Sequence, residues 1–242
     1  MPQSGYVLYR EEDEMVIFWL LILISFAFSL WAQFKVRGNF STWSRVPTYS
    51  GMTGAEVARR ILDENGLYHV RVEPVPGMLS DHYDPTAPAV RLSSHVYYSD
   101  SVAAVAVAAH ECGHALQHKE AYGALVFRHR MVPVLNYTSG FSSFLIPLGI
   151  IFHAPGLLLT GILFFSFVVL FHLVTLPVEY NASARAKRIL ARVGIIRGPE
   201  EERGVRRVLN AAAYTYVASA AVAVLYLLQY LSIFFLQNDD RN

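Results

Sequence analysis

Hydrophobic positions gather into four long blocks, and between the blocks the chain changes to the mixed patterning of a water-facing domain. Met15 to Phe34 carries no charged residue and matches the ~20 apolar residues a helix needs to cross a bilayer. An acidic patch, Glu11 to Glu14, precedes it where a signal peptide would be basic, and no small-residue cleavage pattern follows. The block is therefore read as a retained spanning helix. Tyr137 to Phe152 and Leu157 to Leu176 are separated only by His153-Ala154-Pro155-Gly156, whose proline and glycine favour a reversal, so a helical hairpin is predicted. Its first arm is short for a span. Ala211 to Leu236 is free of charge and long enough to cross with some tilt.

Between the first two blocks, Val46 to Arg130 has soluble patterning. Thr53 followed by Glu56 is a capping box, Val57, Ala58, Ile61 and Leu62 form one apolar face, and Gly66 follows as a stop, so a helix is predicted from about Gly54 to Asn65. His69 to Val75 alternates with period two, as does Ala89 to Leu92 after the turn residues Asp84-Pro85-Thr86. These predict strands of a small sheet. From Ser101 an alanine-rich run predicts a strong helix, apolar around most of its circumference from Val102 to Ala109. That run is too short to span a membrane, so the helix should be buried within protein.

Composition agrees with a membrane protein: 54% of the 242 residues are hydrophobic and only 16% charged. The net charge of +1 supplies no electrostatic footprint for nucleic acid, and the single cysteine, Cys112, cannot form an internal disulfide. Charge distribution says more than charge total. Of the 20 Lys and Arg residues, 18 lie between the first and second blocks or between the third and fourth, leaving Arg10 and Arg241 on the other side. The positive-inside rule places those two segments in the cytoplasm and the termini and the His153 turn outside. Four segments follow: 1–45, a tail and first span; 46–136, a soluble domain; 137–192, a hairpin and its extension; and 193–242, a cytoplasmic segment and last span.

The chemistry sits at the end of the buried alanine helix, in His110-Glu111-Cys112-Gly113-His114. Histidines four residues apart project from one helical face within reach of one ion, and Glu111, turned about 100° from His110, can approach a water on that ion without ligating it. This is the physical content of H-E-x-x-H in zinc hydrolases, where the carboxylate takes the proton of the attacking water. Gly113 leaves room beside the site. A catalytic zinc needs a third protein ligand and an open position. Glu179 is the candidate, because a helix continuing past the third block would put Glu179, Ala182, Ser183 and Ala186 on one face, with small residues that allow close packing against the motif helix. His172, seven residues earlier and within the apolar block, is the rival ligand. His118 extends the face of His114 and is read as a supporting or surface residue.

Taken together, Thr53 to Leu62, Asp81-His82-Tyr83-Asp84-Pro85, Ser101 to His118, and Leu176-Pro177-Val178-Glu179-Tyr180-Asn181-Ala182-Ser183 resemble the YugP-type neutral zinc metallopeptidases of bacterial membranes, over nearly the whole chain. More distantly, H-E-x-x-H with a later Glu-x-x-Ala resembles the membrane gluzincins, which include heat-shock membrane proteases and prenyl-protein endopeptidases. That resemblance implies a zincin-like α+β catalytic domain and Glu179 as the glutamate that completes the zinc shell. Where many of those enzymes carry an aspartate four residues on, this chain has Ser183. Asp81 to Asp84 resembles a family-specific segment: His82 or Tyr83 can lie along a cleft and hydrogen-bond a developing oxyanion, or Asp84-Pro85 can simply start a turn.

The expectation is therefore a predominantly α membrane protein with about four transmembrane helices and a small α+β domain at the cytoplasmic face of a bacterial cell membrane. It would act as a zinc endopeptidase on peptide or protein substrates at or near the bilayer. His110, His114 and Glu179 would bind one Zn2+, with Glu111 as base and His82 as a further catalytic candidate. Two other classes compete. Intramembrane cleavage would need ligands inside the bilayer, against which Asp100, Lys119 and Glu120 around the motif helix argue. A metal-stabilised scaffold without turnover would have no use for Glu111.

Overall fold

In the computed structural model, the backbone is described for residues 4–239 and side chains from residue 16 onward. Arg241 and the Arg10 side chain, invoked above for orientation, lie outside the described residues. In chain order the elements are α1 (Ser4–Trp43), α2 (Gly54–Glu64), β1 (Arg71–Val75), β2 (His82–Asp84), β3 (Ala89–Ser93), α3 (Ser94–Tyr97), α4 (Val102–Lys119), α5 (Gly123–Ile151), α6 (Pro155–Arg192) and α7 (Gly198–Asp239). Among the described residues four helices, α1, α5, α6 and α7, are long and apolar enough to cross a membrane. The protein is mostly helical with one small sheet.

Each apolar block lies inside a longer helix than its hydrophobicity marks. α1 continues beyond Phe34 through Lys35 and Arg37 to Trp43, and α5 begins at Gly123, so the short first arm of the hairpin is only the apolar part of a 29-residue helix. α6 runs without a break from Pro155 to Arg192, carrying Glu179 on the same helix as the third block. Pro177 lies inside it and cannot donate to the carbonyl of Leu173.

The chain divides into two compact units. One takes in α1 as far as Trp31, Arg128–Val174, and α7 from Tyr216. Within it the α5–α6 hairpin closes by a Schellman turn: the Ala154 amide donates to the Gly149 carbonyl at 2.9 Å and the His153 amide to Ile150 at 3.3 Å. His153 takes the left-handed position at φ +47°, and Pro155 opens the next helix, where its missing N–H is no loss. Gly149 sets how close the two arms come, since a Cβ there would stand 2.5 Å from the Leu158 nitrogen. Ile146, Leu158 and Ile162 form the buried core of this unit.

The second unit comprises Ala32–Phe127 and Thr175–Thr215. The predicted capping box is present: the Thr53 hydroxyl accepts from the Glu56 amide at 3.3 Å, and the Glu56 carboxylate accepts from the Thr53 amide at 2.8 Å. Val57, Ala58, Ile61 and Leu62 are buried, and the helix stops where Gly66 adopts φ +71°. In the three-stranded sheet, ordered β1-β3-β2, the central β3 pairs parallel with β1 (Arg71↔Ala89) and antiparallel with β2 (His82↔Arg91). β2 was not predicted from the sequence; a three-residue strand has no measurable alternation, and the Asp84 turn that follows dominates its signal. That turn is real: the Asp84 carboxylate accepts from the Thr86 amide and hydroxyl and from the Ala87 amide, and its other oxygen pairs with Arg91 at 2.6 Å.

α4 crosses the middle of this unit. Ser101 caps it by accepting from the Ala104 amide at 3.2 Å, and Val102 to Ala106, Ala108 and Ala109 are buried. The helix was expected to be buried in protein, and it is.

Candidate metal centre

Sequence spacing put His110 and His114 on one face of α4; the fold brings α6 against that face. The contact is made at Gly113, where a Cβ would stand 2.8 Å from the Ala182 carbonyl oxygen and 3.2 Å from the Ala182 Cα. No side chain fits there, so Gly113 and the small residue Ala182 let the two helices meet backbone to backbone. Glu179, one turn before Ala182, thereby reaches the histidines: its Oε2 is 3.2 Å from His110 Nε2 and 3.5 Å from His114 Nε2. The three side chains are nearly buried. They form the group of ligand atoms, all within 4.8 Å of one another, that can hold a metal ion among the described residues. His172, the rival ligand, is not in this group; its ring lies beside that of Phe171.

The rear nitrogens of both imidazoles are held. His110 Nδ1 is 3.1 Å from the Ser183 hydroxyl, and His114 Nδ1 is 3.0 Å from Gln117 Oε1. Gln117 is fully buried, and its amide nitrogen donates to the Val178 carbonyl at 2.8 Å. Its oxygen must then face His114, which requires a proton on Nδ1; in the neutral ring that leaves Nε2 as a lone pair. In that neutral ring the lone pair and the carboxylate oxygen, facing each other at 3.5 Å, repel unless a proton or a metal cation lies between them. Ligand bonds of about 2.0–2.2 Å at tetrahedral angles separate donor atoms by roughly 3.3–3.6 Å, so the spacing as well as the donor chemistry fits zinc. Burial alone would lower the His114 imidazole, but the Glu179 and Glu111 carboxylates outweigh it and hold the group above its ordinary value; this pocket favours positive charge.

Glu111 is buried on α4, and no donor among the described residues hydrogen-bonds its carboxylate. Burial raises its carboxyl above the usual range, the two histidines pull it back, and the Glu179 and Asp81 charges push it up again. Such a carboxylate is a stronger base than an exposed one. Cys112, between the motif residues, faces away: its thiol lies 3.6 Å from the Ala58 carbonyl, and burial pushes it far above the usual thiol range, so it is inert.

The remaining candidates are placed as follows. His82, on β2, is exposed with Nδ1 2.8 Å from the Ser80 carbonyl. Tyr83 points to the other face of the strand, and its hydroxyl is 2.8 Å from His118 Nδ1. Asp81 is the anchor of this segment: it accepts from the Ser93 amide at 2.7 Å and the Ser93 hydroxyl at 3.2 Å, and burial raises its carboxyl. Ser183, noted from sequence only as a missing carboxylate, gives His110 the rear partner that a carboxylate would otherwise supply. Gln117 was not singled out at all, although its position three residues after His114 on one helix puts it on the same face.

The family profile described as "Putative neutral zinc metallopeptidase" matches residues 18–235. The chain belongs to this family. It is also 53% identical, over 227 residues covering 94% of its length and the whole of its relative, to the "Putative membrane protease YugP" of Bacillus subtilis (strain 168). No solved structure matches. Family membership agrees with a group of two histidines and a glutamate that could hold a metal ion, and the relative's description agrees with four helices apolar enough to cross a membrane.

Proposed function

We propose that this protein is a membrane-bound, zinc-dependent endopeptidase that hydrolyses peptide bonds of membrane or membrane-proximal proteins at the cytoplasmic face of the bacterial cell membrane. One observation carries the reading: two imidazole Nε2 atoms and the Glu179 carboxylate converge as electron-pair donors on a single point, and the buried Glu111 stands beside them on the motif helix. His110, His114 and Glu179 would hold the ion in a zincin-like domain of the gluzincin type. The ion, when bound, supplies Lewis acidity that polarises a peptide carbonyl and lowers the pKa of an attacking water to about 7.

The protein's own part begins with Glu111, which takes the proton from the attacking water and returns it to the departing amine. Ser183 and Gln117 keep the imidazoles from rotating as charge builds up. β2 pairs with β3 along one side, and its other edge can accept a substrate strand by backbone hydrogen bonds, with the exposed His82 on that strand available to a developing oxyanion. The distribution of Lys and Arg supports the cytoplasmic placement.

The test compares wild type with Glu111→Gln in detergent, measuring zinc content and cleavage of a peptide library drawn from membrane proteins. Equal zinc with cleavage reduced about 10²–10⁴-fold is expected, the range for loss of a general base. Unchanged cleavage by the variant would overturn the assignment.

A further inference from the structure

His114 presents Nε2 to the ligand cluster only if its proton sits on Nδ1, and the side chains stacked behind it control that choice. Gln117 Oε1 lies 3.0 Å from Nδ1, while Gln117 Nε2 donates both to the Val178 carbonyl and, at 3.0 Å, to Asn181 Oδ1. The same Asn181 oxygen accepts from Arg185 Nε at 2.7 Å, and the Arg185 Nη2 pairs with Glu120 at 2.7 Å. Arginine has donors only and a peptide carbonyl accepts only, so the chain runs in one direction. Turning the Asn181 amide would set its NH2 against the Arg185 N–H and the Gln117 NH2; turning the Gln117 amide would set its oxygen against two oxygens.

We infer that Asn181 and Arg185 are positioning residues: with Gln117 they form a one-way hydrogen-bond chain that locks the His114 imidazole as its Nδ1–H tautomer and reserves the Nε2 lone pair for the metal. The inference rests on the reading of His114 as a ligand. Arg185 is the polarity source of the chain, Asn181 passes it on, and Gln117 delivers it. Spacing along α6 makes this possible, since Val178, Asn181 and Arg185 lie three and four residues apart on one face, directed at the end of α4 that carries Gln117 and is followed by Glu120.

The experiment uses the full-length, zinc-loaded protein in detergent and has two readouts: the tautomer of His114 from nitrogen-15 spectra of labelled histidine, and the rate at which zinc passes to a chelator. Gln117→Leu should speed zinc loss by roughly 10–100-fold, the usual range for a residue behind a metal ligand. Asn181→Leu, of similar size but without an acceptor, should speed it by about tenfold or less, being one bond further out. Asn181→Asp, which still accepts from both neighbours, should behave as wild type, a rescue that a merely space-filling residue would not show.

A wild-type His114 carrying its proton on Nε2, a measurement that needs no variant, would overturn the inference. So would Asn181→Leu and Asn181→Asp releasing zinc at the same rate. His114→Ala separates the two levels: zinc retained by that variant removes the ligand reading itself. Zinc lost by it but held normally by Asn181→Leu removes only the positioning chain.

Discussion

The polar side chains around the candidate metal centre bond differently from the hydroxyls of the apolar helices. In the unit built from the apolar helices, hydroxyls turn back on their own helix: Ser25 donates to Leu21, Thr138 to Val134, Ser139 to Leu135, Ser143 to Ser139 and Thr160 to Gly156, each at four residues' separation. In the unit that holds the candidate metal centre several polar side chains reach across elements: Ser183 to His110, Gln117 to Val178, Asp81 to Ser93 and Arg59 to the Val70 carbonyl. The difference is the one expected of helices apolar enough to cross a membrane. In hydrocarbon an unsatisfied hydroxyl is costly, the nearest acceptor is the preceding turn, and the helices pack by shape at places such as Gly149. Large side chains such as Trp19, Leu23, Phe144 and Leu163 are exposed there, on helices long and apolar enough to cross a membrane. In the other unit, polar bonds between distant elements fix the register of α4 against α6, and the chemistry depends on that register.

The comparison breaks most sharply if a polar group of the apolar helices turns out to hold the metal. Glu179 and His172 stand on the same helix, seven residues apart, but in different units. Glu179→Ala should reduce bound zinc, measured by metal analysis after purification, to the level of His110→Ala, because one carboxylate of a three-residue shell is gone. His172→Ala should leave zinc at one equivalent. Full retention by the Glu179 variant, or loss by the His172 variant, would transfer the site to the other unit.

A smaller effect is expected from adding a single methyl group. Gly113→Ala forces a Cβ against the Ala182 backbone, which cannot move like a side-chain tip, and should destabilise by about 1–3 kcal/mol as an overpacked contact. Gly140→Ala, in α5, meets nothing within 4 Å and should leave stability unchanged or raise it by roughly 0.5 kcal/mol through helix propensity. Thermal melting in detergent distinguishes the two. Equal behaviour would mean that the α4–α6 contact is looser than its backbone spacing requires.

Much of this division was readable in the sequence, within limits set by what a hydrophobic count reports. It finds the hydrocarbon-facing part of a helix and not the end of the helix, so α1 passes Lys35 and Arg37, and α5 starts before Arg128 and Arg130. The capping box at Thr53, the Gly66 stop and the buried α4 were legible because each is a local signal. β2 was not, since three residues beside an Asx turn show no period. At the site, His110, Glu111 and His114 lie within five residues, and Glu179 followed from continuing α6. Ser183 and Gln117 took their places only with the α4–α6 register, which depends on contacts between residues more than 60 apart in the chain.

Ser183 permits the finest test of that contrast, because a hydroxyl in the other unit serves as its control. Ser183→Ala removes the partner of His110 Nδ1, leaves a buried ring nitrogen without its bond, and lets the imidazole rotate away from the cluster. Zinc release to a chelator should speed up about tenfold, the lower end of the range for such partners. Ser142→Ala removes a hydroxyl that is just as buried but bonds only to the Ser139 carbonyl of its own helix. Its melting temperature and zinc release should stay at wild-type values, within about ±0.5 kcal/mol of stability. Equal zinc release from the two variants would mean that His110 is held by the packing of α4 alone, and that Ser183 has no orienting role.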